Sequence, residues 1–191
     1  MGSMSIDSSF EDLLSLFIAR GVRFLVVGGY AFGSHTTARA TKDLDLWIDA
    51  TPANADKTWC ALAEFGLPLG SIAAADLATP GPWLQFGVPP TRVDILTAID
   101  GVEFADAWDQ RVQRTFGRVP APVIGIDDLI RNKKLVGRPR DLVDVKELER
   151  RRALDEGEGR VSEKAAAARR KRPRPKTVPR RRKAAARRTR S

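Results

Sequence analysis

Residues 43–49, DLDLWID, alternate strictly between acidic or aromatic and aliphatic side chains. Successive side chains of an extended strand point to opposite faces. Leu44, Leu46 and Ile48 therefore fall on one side, and Asp43, Asp45, Trp47 and Asp49 on the other. The pattern predicts a strand with one face against a core and two carboxylates on the other face, their backbones roughly 6.5–7 Å apart. Acidic residues are poor strand formers, and neighbouring carboxylates repel unless a cation lies between them. Such a pair also occurs as plain solvated surface, so its meaning depends on what surrounds it.

The segment before it supplies a second strand. Phe24–Val27, FLVV, is apolar and rich in β-branched residues, and Gly28-Gly29 closes it. Glycines between a buried strand and the start of a helix let the chain turn sharply and bring backbone N–H groups close to phosphates; a plain turn is the simpler reading. Arg39-Ala40-Thr41-Lys42 then leads into the acidic strand. Arg39 and Lys42 either face a polyanionic ligand or belong to a polar loop.

A third acid lies downstream in Arg92-Val93-Asp94-Ile95-Leu96. Val93 and Ile95 are placed to face the core and Asp94 to face away. If this strand lies beside Asp43–Asp49, three carboxylates converge on one face. Such a cluster suits Mg²⁺, a hard ion that takes one or two carboxylates along with phosphate oxygens and water. It is also able to hold two ions about 3.5–4 Å apart, as in phosphoryl transfer.

Around these strands the apolar spacing predicts helices over 7–19, from Pro52 to about Phe65, over Glu103–Gln110, from Asp127-Asp128 to Val136, and over Asp141–Arg152. Trp83–Gly87 and Thr91–Thr97 read as strands joined by Val88-Pro89-Pro90, with one or two β segments within Arg111–Ile124. Trp59 and Cys60 sit on the helix pattern as packing residues. His35, the sole histidine, is expected to make a structural hydrogen bond near the first turn, and Trp47 to pack at the rim of the aspartate face.

Charge divides the chain. From Arg160 to Ser191 there are 15 Lys/Arg and one acid, a net of +14; residues 1–159 carry 18 basic and 23 acidic residues, a net of −5. The segment EGEGRVSEKAAAARRKRPRPKTVPRRRKAAARRTRS has almost no apolar side chain larger than alanine, too little to offset the entropy of ordering. A disordered basic tail over 156–191 is expected, following a domain over 1–155 whose C-terminal helices span 126–153. Its charge suits RNA or DNA. One cysteine excludes an intramolecular disulfide. Met1-Gly2-Ser3 before Met4 reads as a cloning remnant, and neither a secretory leader nor a membrane span is evident. A cytoplasmic protein with no membrane partner is expected.

The run VVGGYAFGSHTTARATKDLDLWID resembles the signature of the polymerase-β-like nucleotidyltransferase superfamily, nearest to a small bacterial branch associated with toxin–antitoxin and defence systems. The pattern is a glycine turn after the first strand, an acid-x-acid on the second and a distant third acid, here Gly28-Gly29, Asp43 with Asp45, and Asp94. The similarity continues through GVPPTRVDILTAIDGVEFADAWDQR and IDDLIRNKKLVGRPRDLVDVKEL, over roughly residues 20–150. It implies an α/β (α+β) fold with a small mixed, twisted sheet, helices on one face and the metal site on the other. It further implies an NTP substrate, Mg²⁺ (two ions, with Mn²⁺ as a substitute) on Asp43, Asp45 and Asp94, and triphosphate contacts from Gly28, Gly29, Arg39 and Lys133. A cognate toxin or antitoxin is the implied protein partner. The alternative is an idle fold of this type acting as an antitoxin or nucleic-acid binder.

Two other phosphate-binding designs fail on the residues. A dinucleotide site would place Asp43–Asp49 in a strand covered on both faces, where two carboxylates would be punished by burial. A P-loop is excluded because no Gly-Lys-Ser/Thr follows the turn.

Overall fold

The computed structural model describes residues 4, 6–36, 41–81, 83–88 and 90–170. The chain divides into two units, Met1–Leu154 and Asp155–Ser191.

The first unit is built on six strands: β1 (Phe24–Val26), β2 (Asp43–Ile48), β3 (Trp83–Phe86), β4 (Arg92–Leu96), β5 (Val112–Phe116) and β6 (Val119–Val123). They form one sheet in the order β3-β4-β2-β1-β6-β5. The sheet is mixed: β1–β6 and β2–β4 are parallel, and β1–β2, β3–β4 and β5–β6 antiparallel. The helices are α1 (Ser8–Ala19), α2 (Gly28–His35), α3 (Pro52–Glu64), α4 (Phe104–Asp109), α5 (Ile126–Val136) and α6 (Pro139–Arg170), with a 3₁₀ turn at Ala74–Ala78. Asp7 starts α1, its Oδ1 accepting the Ser9 N–H at 2.9 Å. Gly137, left-handed at φ 66°, ends α5.

Register decides the two faces of the sheet. Phe24 is paired with Ile48 and Val26 with Leu46, so these side chains share a face with Leu44, Val93 and Ile95. That face is the core. Phe17 of α1 meets Phe24 edge-on at 5.4 Å, and α3 packs against both α1 and β2. The opposite face carries the aspartates at one end and an apolar patch at the other. Trp47 lies in that patch, 2% exposed, edge-on to Phe104 of α4 at 5.0 Å. It is thus buried beneath α4 rather than at a rim.

Several other expectations change. Cys60 is exposed on α3, because its position turns away from the stripe of Ala55, Thr58 and Leu62 that meets the core. Trp59 is partly buried and donates from Nε1 to the Ile72 carbonyl at 2.9 Å. The last helix, predicted over Asp141–Arg152, runs to Arg170. The alanines at 165–168 and the flanking Lys, Arg and Glu are strong helix formers, and helical hydrogen bonds need no apolar partner. The second unit therefore opens with helical backbone; residues 171–191 lie outside the described ones. So does Arg39. Among the described residues no helix is long and apolar enough to cross a membrane.

Candidate active site

β2 and β4 lie side by side with Asp45 opposite Asp94 and Asp43 opposite Arg92. The pairing holds at five successive residues, so the alternation of the two strands coincides. All three aspartates therefore emerge on the face turned away from α1 and α3. On β3, Gln85 stands opposite Asp94 and donates from Nε2 to its Oδ1 at 2.8 Å. Each carboxylate is met by a different donor.

For Asp45 that donor is the Gly29 amide. The turn can come this close only because of Gly28, which has φ 61° and whose Cβ, if present, would stand 1.9 Å from Asp45 Oδ2. A Cβ on Gly29 would fall 2.5 Å from Thr41 Oγ1. Val27, the residue just before α2, offers no side-chain acceptor. Asp45 on the neighbouring strand thus takes the capping place, where the positive end of the helix favours an anion. Burial nevertheless pushes the Asp45 carboxyl up to about 6, helped by the charges of Asp94 and Asp43 and opposed by the Gly29 amide and Lys133.

For Asp43 the donor is Arg92. Its Nη2 bonds Asp43 Oδ2, and its Nε lies 3.7 Å from Asp94 Oδ1, beyond hydrogen-bond range. Nε and Asp43 Oδ1 are both buried without a hydrogen-bond partner. Among the described residues, no group of three or more His, Cys, Asp or Glu side chains is drawn together tightly enough to hold a metal ion. The donor set still fits a hard divalent ion. Three carboxylates share one face, one of their buried oxygens lacks a donor, and burial and charge repulsion favour the protonated form of Asp45.

Lys133 stands on α5, 5% exposed. Its Nζ lies 3.0 Å from Asp141 Oδ1 and 2.8 Å from Asp144 Oδ2, so it ties α5 to the first turns of α6. Asp141 Oδ2 is buried without a partner. The lysine's charge reaches Asp45, but its hydrogen bonds go to two carboxylates. His35 forms the structural contact expected of it, Nε2 to the Ile124 carbonyl at 2.8 Å.

Three participants escape a reading of single segments. Arg92 and Gln85 precede or face Asp94 on alternating strands; the two-residue step from Arg92 to Asp94 is a visible signal for a shared face. Asp144 is three residues after Asp141, hence on the same side of α6.

No protein-family model matches the chain, and no curated protein does. Among solved structures it is similar to the lincosamide antibiotic adenylyltransferase LnuA in its lincomycin-bound crystal structure, at 15% identity and TM-score 0.46, over 77% of this chain and 98% of that one. It is also similar to the solution structure of the antibiotic-resistance factor ANT(2'')-Ia, at 13% and 0.49, over 84% and 96%. The crystal structure of ANT(2'')-Ia with adenylyl-2''-tobramycin gives 12% and 0.47, over 78% and 94%.

Proposed function

We propose that this chain is a divalent-metal-dependent nucleotidyltransferase of the polymerase-β-like fold, moving a nucleoside monophosphate from an NTP to an acceptor hydroxyl. The observation that carries this is the β2–β4 register, which sets Asp45 beside Asp94 on the face Asp43 also occupies, against the Gly28-Gly29 turn. In the reaction the acceptor oxygen bonds to the α-phosphorus, the bond from that phosphorus to the α–β bridging oxygen breaks, and pyrophosphate leaves. Asp94 receives the hydroxyl proton. The Gly28 and Gly29 amides, with Arg39, steady the triphosphate, and Lys133 adds its positive charge while it stays paired with Asp141 and Asp144; Gly29 first exchanges Asp45 for a phosphate oxygen.

Asp43, Asp45 and Asp94 would hold Mg²⁺, which when bound neutralises charge building on the phosphates. We further propose a cytoplasmic setting and, from the resemblance, a cognate toxin or antitoxin as partner. The internal matching of charge, with Arg92 on Asp43 and Lys133 on Asp141 and Asp144, favours a second reading, a catalytically idle relative that binds nucleic acid or a toxin. The test is incubation with each α-labelled NTP, Mg²⁺ and cell extract. Label transferred by the native chain but not by Asp45→Asn or Asp94→Asn supports the enzyme. No transfer, together with no thermal stabilisation by Mg²⁺·NTP, supports the idle reading.

A further inference from the structure

Arg92 is the one cation that lies on the aspartate face against Asp43 among the described residues, and its placement is costly. It is directly opposite Asp43 across the parallel pair. It satisfies Asp43 through Oδ2 alone and leaves Asp43 Oδ1 and its own Nε buried and unmade. A guanidinium has the donors for a two-point grip on a carboxylate, and this one does not achieve it. A buried donor or acceptor left without a partner is penalised. The pair is thus imperfect in a place where the chain had the chemistry for a good one. Gln85 holds Asp94 from the other side, so Arg92 cannot be drawn fully toward that carboxylate either.

We propose that Arg92 is the stand-in cation of the metal-free site and competes directly with a divalent ion for Asp43. This rests on the metal-site reading above. In the metal-free chain Arg92 relieves repulsion among three carboxylates. Asp43 would pass from Arg92 to a divalent ion, and the Arg92 guanidinium would move away from the carboxylate under the repulsion of the like charge. The exchange sets the ion's affinity below what three carboxylates would otherwise give, so that metal binds firmly only when phosphate oxygens arrive with it.

Titration with Mn²⁺ alone, followed by its electron paramagnetic resonance signal, reads this without any turnover. Arg92→Gln is expected to bind Mn²⁺ on the order of tenfold more tightly than the native chain, since a repelling charge and a competing ion pair are both removed. It is also expected to melt at a lower temperature in chelator, and Arg92→Lys should fall between the two. In an Asp43→Asn background the Arg92→Gln gain should shrink to less than threefold. Equal or weaker Mn²⁺ binding by Arg92→Gln, with native binding intact, overturns the competition and leaves the metal site standing. Mn²⁺ binding by neither chain overturns the metal site and the competition together. If Arg92→Gln does not fold, the same comparison is made between Arg92→Lys and the native chain, where unchanged affinity overturns the proposal.

Discussion

Replacing Asp45 by Asn tests the electrostatics of the aspartate face most directly. The Asp45 carboxyl is raised from an ordinary 3.8 to about 6, chiefly by burial and then by Asp94. The native state therefore holds its proton more tightly than the unfolded chain does. This contribution to stability is fully present below pH 3.8 and is lost as pH rises through about 6. At about 1.4 kcal/mol per pH unit, that interval sets a ceiling near 3 kcal/mol on the penalty of the ionised group above pH 7. Asp45 is only partly buried, so residual solvent reduces the figure to about 1–2 kcal/mol. Asn keeps an oxygen for the Gly29 amide and carries no charge. Metal-free Asp45→Asn should then melt about 2–8 °C above the native chain at pH 8, taking roughly 2–4 °C per kcal/mol for a domain of this size. The gap should narrow as pH falls below about 6, keep roughly a third of its size at about pH 4.5, and close only below pH 3.8. Scanning calorimetry of both chains in chelator across that range reads it. A gap that does not change with pH, or a variant less stable at pH 8, would refute the account of Asp45 as a buried, repelled carboxylate.

Gly28→Ala combines a left-handed backbone with a Cβ placed on Asp45, whereas Gly66→Ala at φ 91° meets nothing within 4 Å. Urea denaturation should show Gly66→Ala losing about 1 kcal/mol and Gly28→Ala at least about 2 kcal/mol more; equal losses would deny the close approach of turn and carboxylate. Lys133→Met should cost about 3–5 kcal/mol, because Asp141 and Asp144 are left buried without their cation, while Lys134→Ala, which breaks an exposed pair with Glu149, should cost under about 1 kcal/mol. If Lys133→Met is as mild as Lys134→Ala in the same urea series, Lys133 is not a clamp between α5 and α6. The basic segment is predicted to bind RNA or DNA without sequence preference, with log affinity falling by about 0.7–0.9 per neutralised phosphate for each tenfold rise in salt. A chain ending at Asp155 should lose this binding in a salt-series titration, and equal affinity with and without the segment rules it out.

The order of strands and helices through Arg152 was legible because it depends on local periodicity. The two-residue repeat of DLDLWID and of RVDIL, the helical spacing in 52–64 and 126–136, and the turn at Gly28-Gly29 are each contained in a few consecutive residues. The same repeat put each aspartate on the outer face of its own strand. It could not put Asp45 beside Asp94. That register joins residues 49 apart through α3 and β3, and sliding one strand by a single residue would turn Asp94 into the core. Nor could alternation tell that Trp47, on the same face as Asp45, is buried by α4 while Asp43 remains part-exposed; which end of a strand is covered depends on where a distant helix lands. Lys133 shows the limit most plainly. In sequence it is one of two adjacent lysines on an amphipathic helix. The fold buries it between carboxylates eight and eleven residues on and leaves Lys134 in solvent. Periodicity determined which way each side chain leaves its own backbone, and packing between segments far apart in the chain decided what it meets there.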